Sequence, residues 1–321
     1  MYMRVVDPSP SHPRPRPIET GTADEPGRLV PPGWLDHAPV TRALIALNVA
    51  VFVVQLVITQ GQSLMRLPEH EARAFGACDS LGIIGENRWE TLITACFLHG
   101  GLIHLGFNML ALWQAGPLVE RAVGSARMAP MYLLAGAAGN ALSVAIAWFG
   151  REAQVIVGAS GAISGVLAAA LVVGWRVQGW RGPLTQAMLR WLGLVLVFGL
   201  VANLGGGHIA NAAHAGGAIA GGGIAAGWRR GYRYSTAATT AILTACTGVV
   251  IACIGIVALR DRADPFATMD LQERFDFTNE ALAKGDCRES REGLRAVDRL
   301  RGKMAPVTQL RDRVLAVCGR N

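Results

Sequence analysis

The chain has 321 residues, of which 51% are hydrophobic and only 17% charged, and its mean hydropathy is +0.33. That balance excludes an ordinary soluble domain and points to the membrane class. The formal net charge of +7 raises nucleic acid as a partner, but the basic residues lie between apolar runs, the pattern of a chain oriented in a bilayer.

Residues 1–39 are polar and proline-rich, with SPSHPRPRP at 9–17, and read as a disordered lead-in. They lack the apolar stretch and cleavage site of a secretory signal, so the first apolar run is expected to remain as an anchor. Runs near the roughly 20 residues that cross a bilayer follow at about 41–59, 101–119, 129–149, 160–180, 189–205, 211–228 and 237–259. The expected fold is an all-α polytopic membrane bundle, with a membrane domain over 40–259. After Leu259 charges recur every few residues, with Leu282, Leu294, Val297 and Leu300 at helical spacing. Residues 260–321 therefore read as a small tail of two or three helices, which we expect to modulate access from its side of the membrane.

Arg4, Arg14, Arg16, Arg28 and Arg42 precede or begin the first run, and Arg121 and Arg127 separate the second from the third. Arg176, Arg181 and Arg190 surround the connection to the fifth run, and Arg229, Arg230 and Arg233 precede the seventh. The alternate connections hold Arg151 alone, and no Lys or Arg from 205 to 212, although the 60–98 connection carries Arg66, Arg73 and Arg88. The positive-inside rule then puts the N-terminus in the cytoplasm of a cell with this inner membrane, and the C-terminus outside it. Cys287 and Cys318 fall in the tail, where an oxidising compartment permits a disulfide. Cys78 and Cys96 lie on the same side with no pairing specified by sequence, and Cys246 and Cys253 read as space-filling residues of the seventh run.

Polar groups inside spans are expensive and mark function. The second run opens with HGGLIHLGFN (99–108), where His104 and Asn108 share a helix face and His99 lies above them, towards the outer end. The fourth opens with GASGAISG (158–165), and the sixth holds NAAHAGGAIAGG (211–222), with His214 near its start. These three runs point the same way, so His104, Asn108, Ser160 and His214 are expected at similar depth. Gly161 with Gly165, and Gly217 with Gly221, form small-xxx-small pairs that let two helix backbones approach closely. Such an approach brings the Ser160 hydroxyl to His214, a nucleophile beside its base. Backbone N–H groups at the start of the fourth helix are then placed to bind an oxyanion together with His104 and Asn108, a pair whose spacing alone equally allows an interhelical hydrogen bond or part of an ion path.

No Asp or Glu occurs in the fourth or sixth run to complete a triad, so a Ser–His dyad is the most that these residues support. Rival uses weaken on inspection. His99, His104 and His214 share a side, but a metalloprotease needs an H-E-x-x-H pair, which is absent. An aspartyl mechanism needs two aspartates within the spans, and they hold none. A His-lined transporter does not account for GASG and lacks an inverted repeat. His208 falls six residues from His214 on another face, and His12, His37 and His70 lie in soluble segments.

At these residues the sequence resembles the rhomboid family of intramembrane serine proteases. The resemblance covers about 40–230 and rests on FLHGGLIHLGFNM (97–109), GASGAISG (158–165) and AHAGGAIAG (213–221), in the family's order. It implies a six-helix core plus one C-terminal helix, Ser160 as nucleophile, and His214 as general base. It also implies that His104 and Asn108 face the oxyanion, that Gly158 belongs to the substrate-binding segment, and that His99 supports the edge of the site. The implied partners are transmembrane protein substrates within a lipid bilayer, cut near small residues in segments that unwind. No cofactor is implied, because the mechanism uses only water, and a catalytically weak or inactive client-binding relative is the other use of such a fold. Two positions depart from the family. Glu90 and Thr91 stand where a Trp-Arg pair is common, with Arg88 and Trp89 upstream, and Ser164 replaces an aromatic ring that commonly packs on the base histidine.

Overall fold

In a computed structural model, the described residues are 37–150, 155–204, 211–228, 234–301 and 305–319. The lead-in through residue 36, with His12 and its arginines, lies outside them, as do Arg151, His208, Arg229, Arg230 and Arg233. The apolar runs become α1 (Pro39–Ile58), α4 (Leu102–Val123), α5 (Ser125–Gly150), α6 (Ser160–Gln178), α7 (Pro183–Leu204), α8 (Asn211–Ala226) and α9 (Thr236–Ala263). Between α1 and α4 lie two short helices, α2 (Glu69–Ala74) and α3 (Thr91–Thr94). Five helices, α1, α4, α5, α6 and α9, are long and apolar enough to cross a membrane. The described apolar part of α7 is shorter, Pro183–Val197, and α8 has 16 residues, which reach only about 24 Å against a hydrocarbon core of about 30 Å.

Among those five, α6 is the most enclosed and α9 the least. α6 packs against α4, α5, α7 and α8, while α1 lies on α4 and α9 on α5. Without a hydrophobic driving force between helices in lipid, contact relies on close backbone approach. α8 achieves it with glycine. A Cβ at Gly217 would stand 2.0 Å from the Gly161 carbonyl oxygen, and one at Gly221 would stand 2.1 Å from that of Gly165. From the third side, Gly139 of α5 faces the Ala213 carbonyl so closely that a Cβ there would meet it at 2.4 Å.

Glu120, at the far end of α4 from His104, ties α1 to the bundle. Its buried carboxylate accepts hydrogen bonds from the Val40 and Thr41 amides at 3.0 and 2.8 Å and from the Thr41 hydroxyl at 2.8 Å. These are donors at the start of α1 that its own backbone leaves unpaired, and a negative charge suits that helix end.

The charged tail begins later than its composition implies. α9 runs past Leu259 to Ala263, because Arg260 and Asp261 are paired: Arg260 lies 3.4 Å from Glu90, and Asp261 lies 3.2 Å from Arg88. Three helices follow, α10 (Leu271–Ala283), α11 (Cys287–Arg301) and α12 (Ala305–Cys318). Asp270 and Glu273 form a reciprocal capping box at the start of α10. Leu294 and Val297 enter the tail's core with Val307, Leu310 and Val314, and Leu282 packs against it. The Leu300 side chain lies outside the described residues. Cys287 and Cys318 are disulfide-bonded across 31 residues, a closure worth ~3–4 kcal/mol on a chain-entropy account.

The tail is docked on the 60–98 connection. Arg274 of α10, 1% exposed, pairs with Glu86 at 2.7 Å. Arg88, also buried, donates to the Ala267 and Arg73 carbonyls at 2.8 and 3.3 Å and pairs with Asp261. The connection is therefore anchored by Arg88 without a Trp-Arg pair at 90–91, while Trp89 stays exposed. Charges this enclosed depend on their partners, and removing one strands the other at a cost of ~3–5 kcal/mol.

The α6–α8 contact yields a comparison within one helix. Gly221→Ala must push against a backbone carbonyl, whereas Gly223→Ala faces open space. We expect the first to lower the thermal midpoint of the purified protein by roughly 2–10 °C. The second should be neutral or stabilising, since alanine is the better helix former by about 1 kcal/mol. Equal shifts in the two would contradict the contact.

Candidate active site

The glycine contacts decide where α6 and α8 begin relative to one another, and both begin at polar residues. Ser160 is the first residue of α6, and His214 lies in the first turn of α8. The His214 Nε2 is 2.7 Å from the Ser160 Oγ, a contact across 54 residues of sequence made by adjoining helix ends. Ser160 also occupies a helix terminus with vacant donors. The first intrahelical bond of α6 runs from Ile163 to Ala159, which leaves the preceding amides without an intrahelical acceptor.

Just ahead of Ser160, the segment 155–158 is held by the 60–98 connection. Ile156 exchanges backbone hydrogen bonds with Cys78 at 2.7 and 3.1 Å, and the Gly158 amide donates to the Ala95 carbonyl at 2.9 Å. Gly158 has φ of +127°, a left-handed conformation that favours glycine. A Cβ there would stand 2.8 Å from the His104 ring atoms Cε1 and Nε2, and 3.8 Å from the Ser160 Oγ. His104 thus closes over Gly158 beside the serine. Its Nδ1 accepts from the Gly100 amide at 3.3 Å, which assigns the proton of the neutral ring to Nε2, on the Gly158 side.

Asn108, buried one turn further along α4, donates one amide N–H to the His104 carbonyl at 2.9 Å and retains a second. His99 is fully buried, and its backbone exchanges hydrogen bonds with the Gln55 side chain of α1 at 3.2 and 3.1 Å. Its ring meets that of His104 edge-on, with centroids 5.3 Å apart. Burial, and then the neighbouring His104, push the His99 pKa down to about 3. Ser164, buried in α6, donates to the Ser160 carbonyl at 2.8 Å. It satisfies its hydroxyl within its own helix.

The structure therefore gathers Ser160, His214, His104, Asn108, His99 and Gly158 at one end of the bundle. It sets Gly161, Gly165, Gly217 and Gly221 along the contact that holds them there. His70 is far more exposed, with 59% of its side chain accessible. Among the described residues no three His, Cys, Asp or Glu side chains form a metal-ligand group. Cys78 and Cys96 are buried free thiols; burial raises both, Cys96 to about 12, which leaves them protonated and inert. The reading of the sequence missed Gly139, whose signal was the small-residue stretch AGAAGNA at 135–141, and Glu120, for which no local pattern names a partner.

A Rhomboid domain family profile matches residues 86–233, which hold all three motifs. Over 203 residues the chain is 30% identical to Rhomboid protease AarA of Providencia stuartii, an alignment covering 56% of this chain and 68% of that protein. The chain belongs to the rhomboid family. It is also 39% identical over 150 residues to Rhomboid protease GluP of Bacillus subtilis (strain 168), covering 46% of this chain and 27% of that one. With RHOMBOID-like protein 5 of Arabidopsis thaliana it shares 33% identity over 154 residues, 46% of each chain. The chain thus spans about a quarter to a half of the length of these last two relatives. Within the rhomboid fold of this chain, α9 and the tail lie beyond the profile's match.

The environment of His99 has a consequence for stability. A histidine held neutral by burial binds fewer protons than the same residue in the unfolded chain, whose ordinary value is 6.5. Its contribution is complete above that value and declines as the pH falls towards about 3. Thermal midpoints measured between pH 7 and pH 4.5 should fall more steeply for the wild type than for His99→Gln. Parallel curves would show that His99 is not held neutral.

Proposed function

We propose that this rhomboid is an intramembrane serine endopeptidase that cleaves transmembrane segments of other membrane proteins. The observation that carries the reading is the 2.7 Å contact between the Ser160 hydroxyl and the His214 imidazole, at the vacant N-terminus of α6. A serine hydroxyl is a poor nucleophile until a base takes its proton. In the proposed reaction the Ser160 Oγ attacks the substrate carbonyl carbon while its proton passes to the His214 Nε2. The carbonyl oxygen becomes an oxyanion facing the free amides at the start of α6, the His104 Nε2–H and the second N–H of Asn108. Collapse of this intermediate expels the amine, which takes the proton back from His214, and water then hydrolyses the acyl-enzyme by the same route. Bond making and breaking use only Ser160, His214 and water.

A helix hides its carbonyls in its own hydrogen bonds, so a segment must unwind before it can be attacked. This supports substrates with small residues at the cut and helix-weakening residues nearby. The arginine distribution supports a multi-pass protein of the cell membrane, N-terminus in the cytoplasm and active site towards the outer surface. The same orientation supports a disulfide-bonded tail outside the cell. We read the tail as a brace that sets substrate access, since it grips through Arg274 and Arg88 the connection that pairs with Ile156. An enzyme truncated after α9 is expected to cleave a different subset of model substrates from the full chain. Unchanged cleavage of every substrate would remove that role.

The chemistry is tested by purified protein in detergent with a model transmembrane substrate and a fluorophosphonate label. We expect cleavage and labelling in the wild type and neither in Ser160→Ala or His214→Ala. His104→Ala and Asn108→Ala should lower kcat by ~10²-fold with little change in KM, since their donors act on the oxyanion. A wild type that binds substrates without cutting or labelling would instead assign the fold to client binding.

A further inference from the structure

His214 is left with one unexplained atom. Its Nε2 faces Ser160, but its Nδ1 is shielded from solvent and has no hydrogen-bond partner. Three residues earlier on α8, the side-chain oxygen of Asn211 is in the same condition: buried, and without a donor. Two unpartnered polar atoms of complementary character are costly in an apolar bundle, where each orphan forfeits about 1–3 kcal/mol. They also lie together. Gly199 of α7 packs over them, and a Cβ at Gly199 would stand 2.1 Å from the Asn211 Oδ1 and 3.6 Å from the His214 Nδ1. By those two distances the oxygen and the nitrogen are at most about 5.7 Å apart. Side chains at i and i+3 are neighbours on a helix face, so rotation of the Asn211 side chain brings its carbonyl to the ring.

We propose that Asn211 is the positioning residue of this site, its carbonyl accepting the His214 Nδ1–H when the enzyme engages substrate. The inference rests on the serine-protease reading and deepens it. Acceptance at Nδ1 fixes the tautomer in which Nε2 carries the lone pair that takes the Ser160 proton. When that proton arrives, Nδ1–H of the imidazolium remains hydrogen-bonded to a carbonyl dipole. No proton passes to Asn211, and no charge besides that of His214 is created on α8. The role needs an acceptor, not an acid, which is consistent with the lack of Asp and Glu in α6 and α8. Gly199 contributes by being small, because any side chain there would push into the space where the two groups meet.

The test compares Asn211→Ala, Asn211→Asp and Asn211→Leu with the wild type. Its readouts are kcat and KM on the model transmembrane substrate, fluorophosphonate labelling rate and thermal midpoint, all in the same detergent. Leucine and aspartate have the same number and branching of side-chain heavy atoms, but only aspartate accepts a hydrogen bond. We expect Asn211→Ala and Asn211→Leu to lower kcat and labelling rate at least ~10-fold with KM within about twofold, and Asn211→Asp to recover most of the loss. A KM effect alone, wild-type kcat in Asn211→Ala, or an Asp variant no better than the Leu variant would overturn the assignment. Should the Ala variant fail to fold, the ratio of Asp to Leu decides. A wild type that neither cleaves nor labels would overturn the serine-protease reading itself, and the role of Asn211 with it. That outcome is separable from the others because it appears before any variant is made.

Discussion

The structure depends on helix backbones brought into contact where no side chain intervenes. Gly217 and Gly221 of α8 face the carbonyls of Gly161 and Gly165 at distances that leave no room for a Cβ. Leucine-sized residues at these positions would hold two helices roughly 8–10 Å apart at their axes; glycine brings them closer. That difference decides chemistry as well as packing. Ser160 and His214 carry short side chains at the adjoining ends of the two helices, and their 2.7 Å contact survives only while the backbones stay close. The residues that build the site and those that space it therefore belong to the same two stretches of sequence.

Against this rigid pair, the rest of the site is held from the 60–98 connection. Gly158 owes its unusual backbone to three constraints: its amide is taken by Ala95, its neighbour Ile156 is paired with Cys78, and the His104 ring lies where a Cβ would be. The connection is in turn pinned by buried ion pairs to α9 and the tail. Buried ion pairs return little net stability, because desolvation offsets their attraction, but they are intolerant of wrong partners. Here they act as register pins. They fix which face of the 86–90 turn meets α9 and α10, and through the backbone pairing at Ile156 that choice reaches the residue before Ala159.

How much of this was legible depends on the range of each interaction. The apolar runs announced α1 and α4 through α9 because a bilayer imposes length and composition on a single segment. GASG and AHAGG were readable together because their polar residues sit at equal depth, so parity of the spans substituted for coordinates. The family resemblance favoured an oxyanion role for His104 and Asn108, which spacing alone left open to an interhelical hydrogen bond. What stayed hidden was pairing between distant segments. Nothing near Glu120 says that its carboxylate caps α1, and nothing near Arg274 says that it meets Glu86. The displaced Arg88 shows the same limit: the motif position is lost, while the buried guanidinium that anchors the connection is present. Asn211 stands three residues from a histidine in plain view, yet its interest comes from an unsatisfied oxygen, which only three-dimensional structure reveals.

The absence of Asp and Glu from α6 and α8 follows from the same setting. In a soluble enzyme, an acid behind the histidine finds donors for its remaining lone pairs and stabilises the imidazolium at little standing cost. Within a membrane bundle, a carboxylate on α8 would need donors for all its lone pairs at all times, and beyond Asn211 and His214 α8 offers only glycine, alanine and isoleucine. An ionised group left unpaired there costs several kcal/mol, against the about 1–3 kcal/mol of a neutral orphan. A neutral acceptor gives up part of the electrostatic stabilisation and avoids that standing penalty. The close helix contact reinforces the choice, because helices spaced by glycine have no volume for the additional donors that a buried charge requires. Backbone proximity thus brings the Ser160 hydroxyl to the His214 imidazole, and it also limits how polar their surroundings can be.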